Sequence, residues 1–274
     1  MKSRQKNSAK KTVKKGIYIL PNLFTSASLF GGFYAIIAGI QGRYEAAAIA
    51  ILISCVLDAL DGKIARFTRA TSHFGIEYDS LSDLVAFGVA PGVLAFQWAL
   101  APFGRLGWLA SFMYVICGAL RLARFNVQKG KVDARYFKGL PIPAAASFIA
   151  SLILFSNAIG GLLPGSKHIL IIMLIYVLSF LMVSTINYPS FKELELRKQK
   201  PFNVLVAIIL ILIVIAYQPK IMLFFILVIY ILSGPAVTIY LSQKKLARDN
   251  RHFKKFLPDN THDVEEADAP QTDL

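Results

Sequence analysis

Charged residues and cysteines are both scarce in this 274-residue chain, and each shortage argues against a class of protein. Only 17% of the residues are charged and 55% are hydrophobic, which argues against a soluble domain. The two cysteines, Cys55 and Cys117, are too few for a disulfide framework, and both fall in apolar stretches. Acidic residues are also few, 16 against 30 Lys and Arg, so the net charge is +14.

The sequence contains several long apolar runs. Several approach or exceed the roughly 20 residues that a helix needs to cross the hydrocarbon core, for example Ile169–Ile186 and Ile221–Leu241. The sequence therefore predicts an all-α polytopic membrane helix bundle with about eight transmembrane helices. The predicted spans are 18–40, 44–66, 78–100, 104–124, 142–163, 167–187, 201–217 and 220–241.

The basic residues alternate with these spans. Almost all of the 30 lie on one side of the predicted membrane, and the other side has only Arg43, Arg105, Lys167 and Lys220. Because positive loops stay cytoplasmic, both termini are predicted to be cytoplasmic, in a bacterial-type cell membrane. Topology thus explains the positive charge, and no nucleic acid partner is expected. The basic N-terminal segment is also suited to anionic membrane lipids.

Four aspartates lie where the second predicted span ends and the third begins. Asp58 and Asp61 are three residues apart, and Asp79 and Asp83 are four apart, so each pair shares one helix face. Two antiparallel helices joined near Gly75 would point both pairs at one small volume. Ionised carboxylates are costly there unless cations neutralise them. Oxygen-only ligands suit Mg²⁺ or Mn²⁺, and two ions bridged by carboxylates are typical of phosphoryl transfer.

The aspartates have two other interpretations. They could form buried salt bridges with Lys63, Arg66 and Arg69, or they could line an ion pathway in a cation transporter. Transporter sites usually lie near the membrane midplane, whereas these aspartates are at helix ends beside a basic loop. That location favours chemistry on a cytosolic substrate. A small residue at position 62 would let a substrate approach the backbone closely.

The same stretch carries a recognisable motif. Its eight fixed positions are Asp58, Asp61, Gly62, Ala65, Arg66, Gly75, Asp79 and Asp83. This spacing resembles, without departure, the signature of the CDP-alcohol phosphatidyltransferases. The resemblance covers roughly residues 17–190 and implies a six-helix catalytic core there, after a basic tail at 1–16. Two additional transmembrane helices are expected at 191–243, and a cytoplasmic tail, disordered at its end, at 244–274.

The resemblance implies a role for each motif residue. The expected metal ligands are Asp58, Asp61, Asp79 and Asp83, which together would hold two Mg²⁺ or Mn²⁺ ions. Asp83 would also be the general base. The residues expected to contact the CDP-lipid are Asn22, Gly62, Arg66 and Ser72. The alcohol oxygen would attack the lipid-bearing phosphorus directly as CMP leaves. The family resemblance also implies a homodimer.

Three further segments bear on the acceptor alcohol. Ser82–Pro91, Leu120–Asn126 and Gly139–Pro143 resemble the phosphatidylserine synthases of this family, which implies CDP-diacylglycerol and L-serine as substrates. Binding serine requires a cation for its carboxylate, and Arg121 and Arg124 could supply one, with a polar contact from Asn126. The same arginines could instead mark the membrane interface or bind lipid phosphate. Inositol and glycerol-3-phosphate remain open as acceptors.

Overall fold

The computed structural model describes residues 19–67, 72–128, 136–160, 169–189 and 217–256. These residues form seven helices: α1 (Ile19–Ile40), α2 (Tyr44–Phe67), α3 (His73–Phe103), α4 (Arg105–Gln128), α5 (Ile142–Ala158), α6 (Ile169–Val183) and α7 (Pro219–Phe256). Four of the described helices, α1, α3, α4 and α7, are long and apolar enough to cross a membrane, and α5 and α6 are shorter apolar helices. The predicted all-α membrane bundle is confirmed.

Seven of the eight predicted spans correspond to these helices. The predicted span at 201–217 lies outside the described residues except for Tyr217, as does the predicted tail at 1–16. Of the predicted tail at 244–274, residues 244–256 belong to α7 and the rest lie outside the described residues. The third helix begins at His73 rather than at residue 78, because Ser72 caps it: its Oγ accepts the backbone N–H of Gly75 at 3.0 Å. Gly75 is therefore in the first helical turn and not in the connection.

The predicted sixth span ends early because its last residues leave the helix. Asn187–Pro189 form strand β2, which pairs antiparallel with β1 (Tyr136–Lys138), so that Lys138 is opposite Asn187. This small sheet was not predicted. It joins the segment after α4 to the segment after α6.

Helix α1 packs closely against both α2 and α3. Ser28 of α1 and Ser54 of α2 exchange hydrogen bonds, each hydroxyl donating to the backbone carbonyl of the other at 3.0–3.1 Å. Gly32 lies against the backbone of Ala86 in α3, and a Cβ atom on Gly32 would come 2.5 Å from the Ala86 Cα. Small residues at these contacts let the helix backbones approach, as is usual in membrane bundles.

The middle of α3 is fastened to α4. Directly after Asp83 the helix widens into a π-helical segment, Leu84–Val89, and Pro91 follows. Proline has no N–H to give to the carbonyl of Phe87, four residues earlier. The hydroxyl of buried Tyr114 donates to that carbonyl at 3.0 Å. A carbonyl that would lose its helical partner is thereby satisfied inside the bundle.

The last described helix is anchored at two points. Lys220, near the start of α7, forms an ion pair with Glu45 at the start of α2. Further along, Gly234 lies directly against the ring of Tyr188, so closely that no side chain larger than glycine fits. Between them α7 packs on α5, which is buried along most of its length. The sheet and α5 therefore fix how α7 lies on the other helices.

Candidate active site

The signature aspartates meet where α2 ends and α3 begins. Asp58 and Asp61 project from the last turns of α2, and Asp79 from the second turn of α3. One carboxylate oxygen from each of these three residues lies within 4.8 Å of the others. Asp61 is buried, at 5% exposure, whereas Asp58 and Asp79 are half-buried. The predicted convergence of the two helix faces is confirmed for these three residues, which we call the aspartate triad.

The donor atoms of the triad fit a divalent metal ion. All are carboxylate oxygens, which hard cations prefer. Ligands on opposite sides of a Mg²⁺ ion are about 4.2 Å apart, because each bond is about 2.1 Å long. The oxygens of the triad lie within 4.8 Å of one another, close to that spacing. The triad can therefore bind a divalent metal ion after a small adjustment of its side chains.

Asp83 lies next to the triad and extends it towards α4. Its side chain is in hydrogen-bonding contact with Asp58 and interacts electrostatically with Asp61, Asp79 and Arg121. The four signature carboxylates thus occupy one region. Asp83 is the signature carboxylate whose electrostatic partners include a cation, Arg121.

Helix α1 supplies contacts that the sequence interpretation missed. Thr25 donates its hydroxyl to Oδ2 of Asp61 at 2.8 Å, and Ser82 donates to the backbone carbonyl of Thr25 at 3.1 Å. Ser26 shares a hydrogen bond of 2.8 Å with the hydroxyl of Tyr78. A buried hydroxyl residue in an apolar span was the signal for Thr25. Its partner could not be read from the sequence, because 36 residues separate the two.

Three of the four residues predicted to bind the CDP-lipid have described surroundings. A Cβ atom on Gly62 would meet no described atom outside its own helix within 4 Å, so the space beside this glycine is open. Asn22 lies near Gly75: its Oδ1 is 3.5 Å from the position that a Cβ on Gly75 would take. Ser72 is close by as the cap of α3. The side chain of Arg66 lies outside the described part of the structure, and its role stays a prediction.

The three predicted acceptor residues have different surroundings. Arg121 is buried, at 9% exposure, and interacts electrostatically with Asp83 and with Tyr230 of α7. Arg124 points to the end of α6, where its Nη1 donates to the carbonyls of Val183 at 3.0 Å and Ser184 at 3.4 Å. These contacts link α4 to α6.

Asn126 contacts α3, whereas Arg124 contacts the end of α6. The amide of Asn126 donates to the hydroxyl of Ser80 at 2.9 Å. Of the three predicted acceptor residues, Arg121 is thus the one that interacts electrostatically with Asp83, and the roles of all three at the acceptor stay predictions.

Comparison with known proteins identifies the family. The model of the CDP-alcohol phosphatidyltransferase family matches residues 18–183, well over half of the chain. The chain belongs to this family. The matched segment contains all four signature aspartates and spans α1 to α6, whereas α7 lies beyond it.

Similar proteins from bacteria and an archaeon carry related names. A CDP-diacylglycerol–serine O-phosphatidyltransferase of Helicobacter pylori strain 26695 is 43% identical over 179 residues, which are 65% of this chain and 75% of the relative. The protein of that name in strain J99 is 37% identical over 235 residues, 86% of this chain and 97% of the relative. An archaetidylserine synthase of Methanothermobacter thermautotrophicus is 38% identical over 172 residues, 62% and 69% of the two chains.

Proposed function

We propose that this phosphatidyltransferase transfers the phosphatidyl group of CDP-diacylglycerol to the hydroxyl of L-serine, giving phosphatidylserine and CMP. The observation that carries the proposal is the convergence of the aspartate triad and Asp83 at one end of a membrane helix bundle. Carboxylates in this arrangement suit metal-assisted displacement at phosphorus.

The aspartates divide into two roles. We propose that the triad, with Asp83 as a further ligand, holds two divalent ions, Mg²⁺ or Mn²⁺. Ions bound there neutralise charge on the pyrophosphate and on the departing CMP. Thr25 fixes the rotamer of Asp61 through its hydrogen bond, which keeps one ligand oriented before substrate arrives. Gly62 leaves room for the phosphates against the backbone of α2, with Asn22, Arg66 and Ser72 around the nucleotide.

Asp83 acts as general base in this proposal. It accepts the proton of the acceptor hydroxyl, whose oxygen forms a bond to the lipid-bearing phosphorus. The bond from that phosphorus to the oxygen of CMP breaks in the same displacement, so no covalent enzyme intermediate forms. The hydrogen-bonding contact of Asp83 with Asp58 and its electrostatic interaction with Arg121 support this role, because the base must be close to the phosphates and to the acceptor at once.

Two observations favour L-serine as the acceptor. The relatives of this chain include enzymes named for serine or for a serine lipid. Arg121 is a buried guanidinium beside the proposed base, and a guanidinium can bind a carboxylate with two parallel hydrogen bonds. Inositol has no carboxylate to offer such a group.

The wider setting follows from the charge pattern and the family. We infer that the catalytic site and both termini face the cytoplasm of a cell membrane, because the basic residues concentrate on that side. We further infer a catalytic core at 17–190 with an addition at 191–243, and a homodimer, by resemblance to the family.

The decisive experiment is release of CMP from CDP-diacylglycerol by the purified protein. Mg²⁺ and Mn²⁺ are compared, with L-serine, inositol and glycerol-3-phosphate as acceptors. The proposal expects CMP only with serine and a metal, and no CMP after chelation with EDTA. Release with another alcohol alone would keep the displacement chemistry and overturn serine as the acceptor. No release with any acceptor would favour a carboxylate-lined cation transporter.

A further inference from the structure

Arg121 is a buried cation with one hydrogen-bond donor to spare. It is 9% exposed, and among the described residues its Nε has no hydrogen-bond partner. Burying a charged group costs free energy unless its donors are satisfied, and native structures rarely leave one unpaired. Asp83 offsets the charge of Arg121 from one side. The unpaired Nε indicates that a ligand with acceptor oxygens completes the site.

A second polar group reaches Arg121 from outside the family-matched segment. Tyr230 of α7 is close enough to interact electrostatically with the guanidinium, and it is half-buried. The family match ends at Val183, so α7 is not part of the segment that the family shares. The surroundings of Arg121 are therefore built partly from the family core and partly from a helix added to it.

The position of Tyr230 is fixed by its neighbours. Gly234, one helical turn further along the same face, lies against the ring of Tyr188. The hydroxyl of Tyr188 donates to the carbonyl of Ile231 at 3.3 Å, and its ring centroid is 5.7 Å from that of Tyr230. The backbone N–H of Asn187 also donates to the hydroxyl of Thr238 at 2.8 Å. Strand β2 thus fixes the register of α7, the helix from which Tyr230 interacts electrostatically with Arg121.

We propose that Tyr230 is a specificity-determining residue that binds the carboxylate of the acceptor together with Arg121. This inference rests on the proposed function. The carboxyl carbon of L-serine is three bonds from its hydroxyl oxygen, so a serine with its hydroxyl at Asp83 brings its carboxylate to the neighbouring Arg121. A phenolic hydroxyl donates well to a carboxylate, and the guanidinium supplies the charge. Acceptor choice is then set in part by α7.

The test compares two tyrosine variants in the full-length purified enzyme. Y230F removes the hydroxyl beside Arg121, and Y188F removes the hydroxyl that only anchors α7. Y230F is expected to raise the KM for L-serine roughly tenfold, as for a lost hydrogen bond to a charged group, with the KM for CDP-diacylglycerol unchanged. Y188F is expected to leave the serine KM within about twofold of wild type, because the ring of Tyr188 against Gly234 and the bond from Asn187 to Thr238 still hold α7 in place.

The possible results separate the interpretations. An unchanged serine KM in Y230F, or an equal rise in Y188F, would overturn the role of Tyr230, the second result because it shows an effect through helix anchoring. Wild-type enzyme that releases CMP with another alcohol but not with L-serine would overturn the proposed acceptor and this inference together. Thermal unfolding of each variant in detergent verifies the fold. If Y230F does not fold, Tyr230→Leu also lacks the hydroxyl and is held to the same expectation.

Discussion

Thr25 of α1 and Asp61 of α2 are joined by a hydrogen bond of 2.8 Å from the threonine hydroxyl to Oδ2. Asp61 is the buried member of the triad, and the threonine hydroxyl is its side-chain hydrogen-bond partner among the described residues. A bond of this kind orients a metal ligand without touching the metal. It gives α1, which has no signature residue of its own, a direct influence on the site.

Replacing Thr25 by valine should weaken metal use. The side chain keeps its shape and loses the hydroxyl, so Asp61 is no longer held in one rotamer. The Mg²⁺ or Mn²⁺ concentration for half-maximal CMP release is expected to rise about 10- to 100-fold. Ser28→Ala is the matched control, because Ser28 is one turn along α1 and bonds to Ser54 instead. The same metal requirement in Thr25→Val and wild type would contradict the role of Thr25.

Asp83→Asn should abolish turnover while the protein remains folded. The substitution is nearly isosteric, and it removes the carboxylate that takes the proton from the hydroxyl of the alcohol substrate. A fall of at least about 100-fold in kcat is expected for loss of a general base. CMP release measured with saturating substrates and metal tests this, with thermal unfolding as the control for folding. Normal turnover in Asp83→Asn would remove Asp83 from the proposed chemistry.

Arg121 and Arg124 should respond differently to substitution by alanine. Arg121→Ala is expected to raise the KM for L-serine more than the KM for CDP-diacylglycerol, because Arg121 adjoins Asp83. Arg124→Ala removes the bonds to Val183 and Ser184, and is expected to lower stability by about 1–3 kcal/mol. Steady-state kinetics and thermal unfolding in detergent separate the two effects. An equal rise of serine KM in both variants would assign both arginines to the acceptor.

Two glycine-to-alanine variants should separate packing from substrate binding. Gly32→Ala forces a methyl group against the backbone of Ala86, so a loss of about 1–3 kcal/mol in stability is expected. Gly62→Ala adds the same methyl group in open space, so the fold is expected to be retained while kcat/KM for CDP-diacylglycerol falls. Unfolding midpoints and initial rates measure both. Wild-type kinetics in Gly62→Ala would show that the phosphates do not approach this part of α2.

The short-range features of the site could be predicted from the sequence. Spacing of three and four residues fixes which carboxylates share a helix face, and the hydropathy pattern identifies the spans. The start of α3 was predictable in principle from Ser72 as a cap, but the apolar run alone put it later. The π-helical segment after Asp83 leaves the apolar pattern unchanged and gives no such signal.

The long-range contacts could not be predicted in this way. Thr25 reaches Asp61 because α1 crosses α2 at Ser28 and Ser54, and that crossing depends on packing of whole helices. The electrostatic interaction of Tyr230 with Arg121 depends on the register of α7, which β2 and Gly234 help to set. Local periodicity carries no information on either arrangement. The β1–β2 pairing was missed for the same reason, since it joins two segments distant in the chain.

The reciprocal bonds between Ser28 and Ser54 limit how the bundle can move. Axial sliding of α1 along α2 would break both bonds at once, in a setting with no water to replace them. The two helices therefore behave as one rigid body, and Thr25 travels with Asp61 in any motion.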